Sequence, residues 1–361
     1  MGLFVNVNES VGPEMDYEQF IECHEENMLE AGATILIEAE QNWNAIMKAV
    51  GVEEVKAYAE GVEAVTEAGR VAGMLEKAKQ FFKNLWQKVV GMFKKMLSIL
   101  DQQASKDKAF VKKYRTEVAK KMGMKDWNEG LTMDLYPFAG IGGHTAAAHG
   151  KLKSGLNSAG ISIDGDNLGT VAATVADLDW KDEIGDKVRG MVIGTSGETE
   201  SEFRKELKDK IYGEKDTAAD ITQDIVLKAM STIEGSEKAK KDLKDAFKPL
   251  DESLKKVIKN TEKAQSKEKF QDKDGKGLEG EALTSATKQY NAVAVALDVV
   301  KTAQTVLTSV YSMELQAIKD QNRQSRAIVG KVFRKSVKEA GFEHFEEGTT
   351  YGNAFDSVVL V

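Results

Sequence analysis

The chain has 361 residues, 42% hydrophobic and 30% charged, and a net charge of −8 at pH 7. That is enough apolar material for a sizeable core, so a wholly disordered chain is excluded, and the length favours two or three structural units. A single cysteine, Cys23, excludes an internal disulfide framework and suits a reducing compartment, while only three prolines leave long stretches free to be helical.

The opening MGLFVNVNESVGPE has neither a basic n-region nor an apolar stretch of signal-peptide length, so no secretory signal is expected. Asn6 stands where N-myristoylation needs Ser or Thr. No stretch of 18 residues is free of charge, and no spanning helix is expected.

Residues 15–125 read as helix almost throughout. Phe20, Met28, Ile35, Leu36, Trp43 and Ile46 recur at helical spacing, with breaks expected at Gly32 and Gly51, and an Ala, Val and Glu-rich run follows over 53–70. Residues 1–73 hold 15 acidic and 3 basic side chains (net −12), and residues 74–125 hold 14 basic and 4 acidic (net +10). Adjacent segments of opposite sign attract one another if folded together; the alternative is that the basic part meets an external anion.

Within the basic part lies FFKNLWQKVVGMFKKMLSIL, residues 81–100. On a helical wheel Phe81, Phe82, Leu85, Trp86, Val89, Phe93 and Met96 share one half with every other apolar residue, and the lysines share the opposite half. This candidate interaction face is wider than the stripe of an ordinary surface helix. We read it as a core helix whose lysines turn to the acidic N-terminal helices or to solvent. A membrane-surface helix over 74–100 shows the same pattern and is the alternative. The next helix, KDKAFVKKYRTEVAKKMG, closes at Gly123. Lysines over 77–125, with Phe110 and Tyr114 among them and Trp127 just beyond, also offer phosphate contacts, and so a nucleic-acid partner.

Residues 126–198 are richer in glycine, and GISIDGDN, LGTVAATVADLDW and GDKVRGMVIG are expected as short strands or irregular segments between turns. FAGIGGHTAAAHGK looks like a phosphate loop with the wrong spacing: Thr145 and Leu152 stand where a dinucleotide or Walker loop needs Gly and Ser or Thr. It is expected as a flexible turn. His144 and His149 are five apart and do not share a helical face as metal ligands would, and His24 beside Cys23 has no further Cys or His nearby. DGDNLGTVAATV from Asp164 and DKDGKGLEGEAL from Asp272 begin like calcium loops. They carry Leu168 and Lys276 at the fifth place and Val175 and Leu283 at the twelfth, so both are turns. No catalytic residue, metal or cofactor is expected.

Helices return after 198. Thr199-Glu200-Ser201-Glu202 reads as a capping box, with the helix closed by Gly213. Thr217-Ala218-Ala219-Asp220 reads as a second helix start, with its helix ended by Gly235. Pro249 marks a further turn, 251–269 a solvated lysine-rich helix, and DKDGKGLEGE a loop. The last long element runs from about Glu281 to Lys338. Ala286, Tyr290, Val293, Leu297, Val300, Gln304, Leu307 and Tyr311 fall on alternating three- and four-residue steps, and those from Tyr290 onward are a candidate assembly seam. A helix broken near Gly330 is the alternative. The end, AFDSVVLV, is β-prone and could add to a sheet edge.

The expected fold is mainly α: an elongated helical bundle with a long coiled-coil-like C-terminal helix and a small glycine-rich α/β insert. The expected units are 1–125, 126–198, 199–340 and a β-prone tail at 341–361. The acidic helical start, the KDKAFVKKYRTEVAKKM helix leading to DLYPFAG, and the NRQSRAIVGKVF helix before a short β-like end resemble internal or minor structural head proteins of large tailed bacteriophages. That resemblance implies a non-enzymatic virion component, made in the host cytoplasm and partnered by itself or other virion proteins. It supplies no catalytic residues. Such proteins are often processed by a capsid protease, and Leu36–Glu38 is similar to sites cut in some of these phages.

Overall fold

Long runs of good helix formers with few breakers make helix the default along this chain, and the computed structural model is mainly helical. It describes residues 65–180, 183–195, 199–264 and 280–339. The first helix, α1 (Val65–Met122), is a single element of 58 residues in which the two-sided 81–100 segment is the middle. Gly73 and Gly91 lie inside it without ending it, and it stops where expected, with the Gly123 amide donating to Ala119 and Lys120 carbonyls at 3.2 Å.

Among its described residues the glycine-rich region holds one strand, β1 (Thr132–Leu135), then α2 (His144–Ser158), a run of turns, a 3-10 turn at Ala173–Asp177, and α3 (Ile184–Ile193). Two expectations change here. GDKVRGMVI is helical, because Ile184, Val188 and Val192 step by four and bury one face. The glycine loop expected to be flexible ends in α2, an ordered helix. The irregular reading of 161–172 stands: Ile161, Ile163, Leu168 and Val171 are buried on successive turns.

The capping box at Thr199 is present, with Thr199 accepting from the Glu202 amide and Glu202 accepting from the Thr199 amide, and it opens α4 (Glu200–Tyr212) before Gly213. Thr217–Asp220 is not a helix start. It belongs to β2 (Asp216–Asp220), which pairs antiparallel with β1 through Thr132↔Asp220, Met133↔Ala219 and Leu135↔Asp216. Pairing with a strand over 80 residues earlier overrides the local cap signal. The real cap is Thr222, whose hydroxyl accepts from the Ile225 amide and starts α5 (Gln223–Glu234).

Pro249 does not mark a turn either. It sits inside α6 (Ser236–Ala264), where Leu243, Ala246, Leu250, Leu254 and Val257 bury one continuous stripe that holds the helix through it. The last helix, α7 (Gly280–Glu339), has 60 residues and continues through Gly330. At ~1.5 Å per residue, α1 and α7 are each about 90 Å long.

α7 packs against every other described helix. The larger core draws on α1, α2, α3, α4, α6 and α7. The smaller one gathers Val111 and Val118 of α1, Leu135 of β1, Val226 and Ile233 of α5, and Ile328, Val329 and Val332 of α7. Both cores cross the boundaries expected at 125 and 198. α1 and α6 run antiparallel, since Lys79 and Lys83 meet Glu262, Trp86 meets Asp251, Phe93 meets Phe247, and Asp101 meets Lys240. The acidic segment upstream of Val65, Cys23, His24, Leu36–Glu38, most of the second calcium-like stretch and the tail lie outside the described residues.

Candidate functional site

The face picked out on α1 meets the protein's own core. Phe81, Phe82, Leu85 and Val89 are buried, and Trp86, Phe93 and Met96 are half-buried against the same cluster. Phe93 stacks on Phe247 with ring centroids 4.1 Å apart. The Trp86 indole donates to Asp251 Oδ1 at 2.9 Å, and Lys255 lies over its ring. The stripe on α7 is likewise filled from within the chain: Val293, Leu297, Val300, Gln304, Leu307 and Tyr311 are buried and Tyr290 packs against them. Here the heptad spacing marks a helix enclosed by its own neighbours, because the other helices wrap it on several sides.

What the stripe encloses is a series of polar pegs. Gln304, its one polar residue, donates from Nε2 to the Ile163 carbonyl at 3.2 Å and to Ser253 Oγ at 2.8 Å. Ser253 in turn donates to Asp164 Oδ1 at 2.7 Å, Lys256 Nζ reaches Oδ2 at 3.3 Å, and Asn260 holds the Asp164 carbonyl at 2.9 Å. His149 Nε2 lies 4.0 Å from Asp164 Oδ1. Burial alone would raise the Asp164 pKa, but His149, Ser253 and Lys256 facing its oxygens more than offset that and hold it at about 2. Serine, histidine and aspartate are all present, yet the carboxylate stands between the other two. Ser253 donates its hydroxyl hydrogen bond to Asp164 and is 1% exposed, so it is not poised as a nucleophile. The calcium-like start at Asp164 is a turn pinned by these bonds.

The glycine loop explains its own phosphate-loop appearance. Gly140 and Gly142 have φ of +71° and +95°, a conformation that glycine adopts at little cost. The loop turns the amides of Gly142 and His144 toward Glu314 Oε1 at 2.7 and 2.9 Å. Thr145 offers its amide and hydroxyl to Oε2 at 3.2 and 2.6 Å. The loop and the first turn of α2 therefore cradle an anion, and that anion is a carboxylate of α7, fully buried. His144 Nε2 pairs with the Ala139 carbonyl at 2.8 Å, so the two histidines serve separate places.

Further along α7, Asp320 accepts from the Tyr212 hydroxyl at 2.6 Å, and burial together with that carboxylate pushes the phenol pKa well up. Gln324 exchanges two hydrogen bonds with the backbone of Tyr136, both 2.9 Å. Gln289 holds the Val171 carbonyl and Lys331 the Thr132 carbonyl. Among the described residues no group of three or more His, Cys, Asp or Glu side chains is arranged to hold a metal ion. One described helix, Glu281–Val332, is long and apolar enough to cross a membrane, and 78% of its apolar window is buried within the protein.

The sequence reading noticed Gln304 and missed Glu314, Ser253, Asp320 and Gln324. The available signal was a polar side chain on the enclosed side of an apolar helix, which asks for a partner wherever it occurs. No family model, no curated protein and no solved structure matches the chain.

Proposed function

We propose that this is a non-enzymatic structural or assembly protein of a tailed-phage particle, internal to or associated with the head. In this reading it is an elongated helical bundle built on α7. The observation that supports it is the row of pegs on α7, at Gln289, Gln304, Glu314, Asp320, Gln324 and Lys331. Each fixes the position of a neighbouring segment along a helix about 90 Å long. Such a spar holds a surface in a set shape over a distance well beyond what one buried site needs. With the α7 stripe filled internally, contacts with other copies or other virion proteins fall to the outer faces.

An antibody to the chain should label purified phage particles, either intact or after their heads are opened, and the purified chain should sediment as growing assemblies with concentration, without lipid. Recovery of the chain only in the unassembled fraction, or pelleting that requires anionic liposomes, would overturn the reading.

A further inference from the structure

We propose that residues 1–64 of this same chain dock along the outward, lysine-bearing face of α1. Lys77, Asn84, Lys88, Gly91, Lys95 and Ser98 follow one another by steps of seven, four, three, four and three. They therefore form one line along the helix, turned away from the buried Phe82, Leu85 and Val89. Lys77, Asn84, Lys95 and Ser98 are exposed, and Lys94 beside them is exposed too. Lys79 and Lys83, on the flank nearer α6, pair with Glu262, whereas Lys77, Lys88, Lys94 and Lys95 have no ion-pair partner among the described residues.

Gly91 sits in the middle of this line, and a Cβ there would meet nothing within 4 Å. A glycine in a helix interior weakens the helix, and on an outward face it leaves a notch where another backbone can approach closely. Three lysines, Lys88, Lys94 and Lys95, surround that notch in sequence. The face thus offers positive charge and a place for close contact.

The occupant is chosen by charge and by tether. Residues 1–64 carry 14 acidic and 2 basic side chains, so their net charge is 2 − 14 = −12. Residues 74–125 carry 14 basic and 4 acidic, so theirs is 14 − 4 = +10. The acidic segment joins α1 directly at Val65, which gives it a high effective concentration at this face. A separate polyanion lacks the tether and must approach a chain whose whole charge is −8. The docked segment neutralises the lysine-bearing face of α1 and covers it. This inference is independent of the virion reading.

Zero-length carbodiimide cross-linking of the full chain, read by mass spectrometry, tests it. Carboxylates within 1–64 should join Lys77, Lys88, Lys94 and Lys95, with yields falling roughly tenfold at about 0.5 M salt as the attraction is screened. Mixing with a 15N-labelled copy should give links within one isotopic chain. Full-length K88E/K95E should release the segment, so that proteolysis of 1–64 speeds up several-fold while the unfolding midpoint stays put. The proposal is overturned if the links run between isotopic copies or the acidic residues join only other lysines. It also fails if the wild-type full chain pellets with phosphatidylserine vesicles, or binds duplex DNA, through these four lysines.

Discussion

Replacing Glu314 with alanine deletes the acceptor for four donors at once: the amides of Gly142, His144 and Thr145 and the Thr145 hydroxyl. Glu314 and Thr145 are both fully buried, so water does not readily take its place. Hydrogen bonds to a charged acceptor contribute about 1.5–3 kcal/mol each in net terms, and a buried donor left without its acceptor costs about 1–3 kcal/mol. Since the four share two oxygens and are not additive, we expect E314A to lose about 3–5 kcal/mol. E314Q keeps Oε1 for Gly142 and His144 but sets an amide group against Thr145, and should lose about half as much. Urea unfolding of both variants measures the ordering. Hydrogen exchange should locate the damage, with α2 amides losing protection before those of α4. An E314A variant within about 1 kcal/mol of wild type would refute the idea that the loop is held by this carboxylate.

Tyr311 provides the contrast. Its hydroxyl is buried without a hydrogen-bond partner among the described residues, so Tyr311→Phe should be neutral or stabilising by up to about 1 kcal/mol in the same assay. Pro249→Ala restores an amide in the interior of α6 and should stabilise by about 1–3 kcal/mol, read as a higher melting temperature. Gly213 has φ of +76° and a Cβ there would come within 2.4 Å of Pro137 Cγ, so Gly213→Ala should cost about 2–4 kcal/mol. Asp164 has its folded pKa lowered to about 2, so its contribution of about 2–3 kcal/mol is fully present above the ordinary carboxyl pKa and is lost as pH falls toward 2. Denaturant midpoints between pH 6 and 2 should show this fall in wild type, and Asp164→Asn should lack that component.

The parts of this fold that could be read in advance are those whose signals lie within a few residues of each other. The box at Thr199 and Glu202, the stops at Gly123, Gly213 and Gly235, and the two-sidedness of residues 81–100 are all local, and all appear. Where a local signal competed with distant packing, packing won, as at Pro249 in the buried stripe of α6 and at Thr217, drawn into β2 by Thr132–Leu135. The polar pegs were illegible for the same reason. Tyr136 and Gln324 are 188 residues apart, and Ser253 and Asp164 are 89 apart. Neither member of such a pair carries a mark of the other in its own neighbourhood. Glycines at 140 and 142 gave that stretch the look of a phosphate loop, but its spacing pointed to a flexible turn, and nothing nearby showed that α7 would bring a carboxylate to it.

That separation has a consequence for how the molecule is made. Gly142 and Glu314 are 172 residues apart, so the loop leaves the ribosome long before the carboxylate that fills it. At ~5–20 residues per second the delay is roughly 10–35 s, during which the start of α2 lacks its acceptor. Every other described helix packs on α7, so the wait is shared by the molecule as a whole. Its core closes late, after the last long helix has been synthesised.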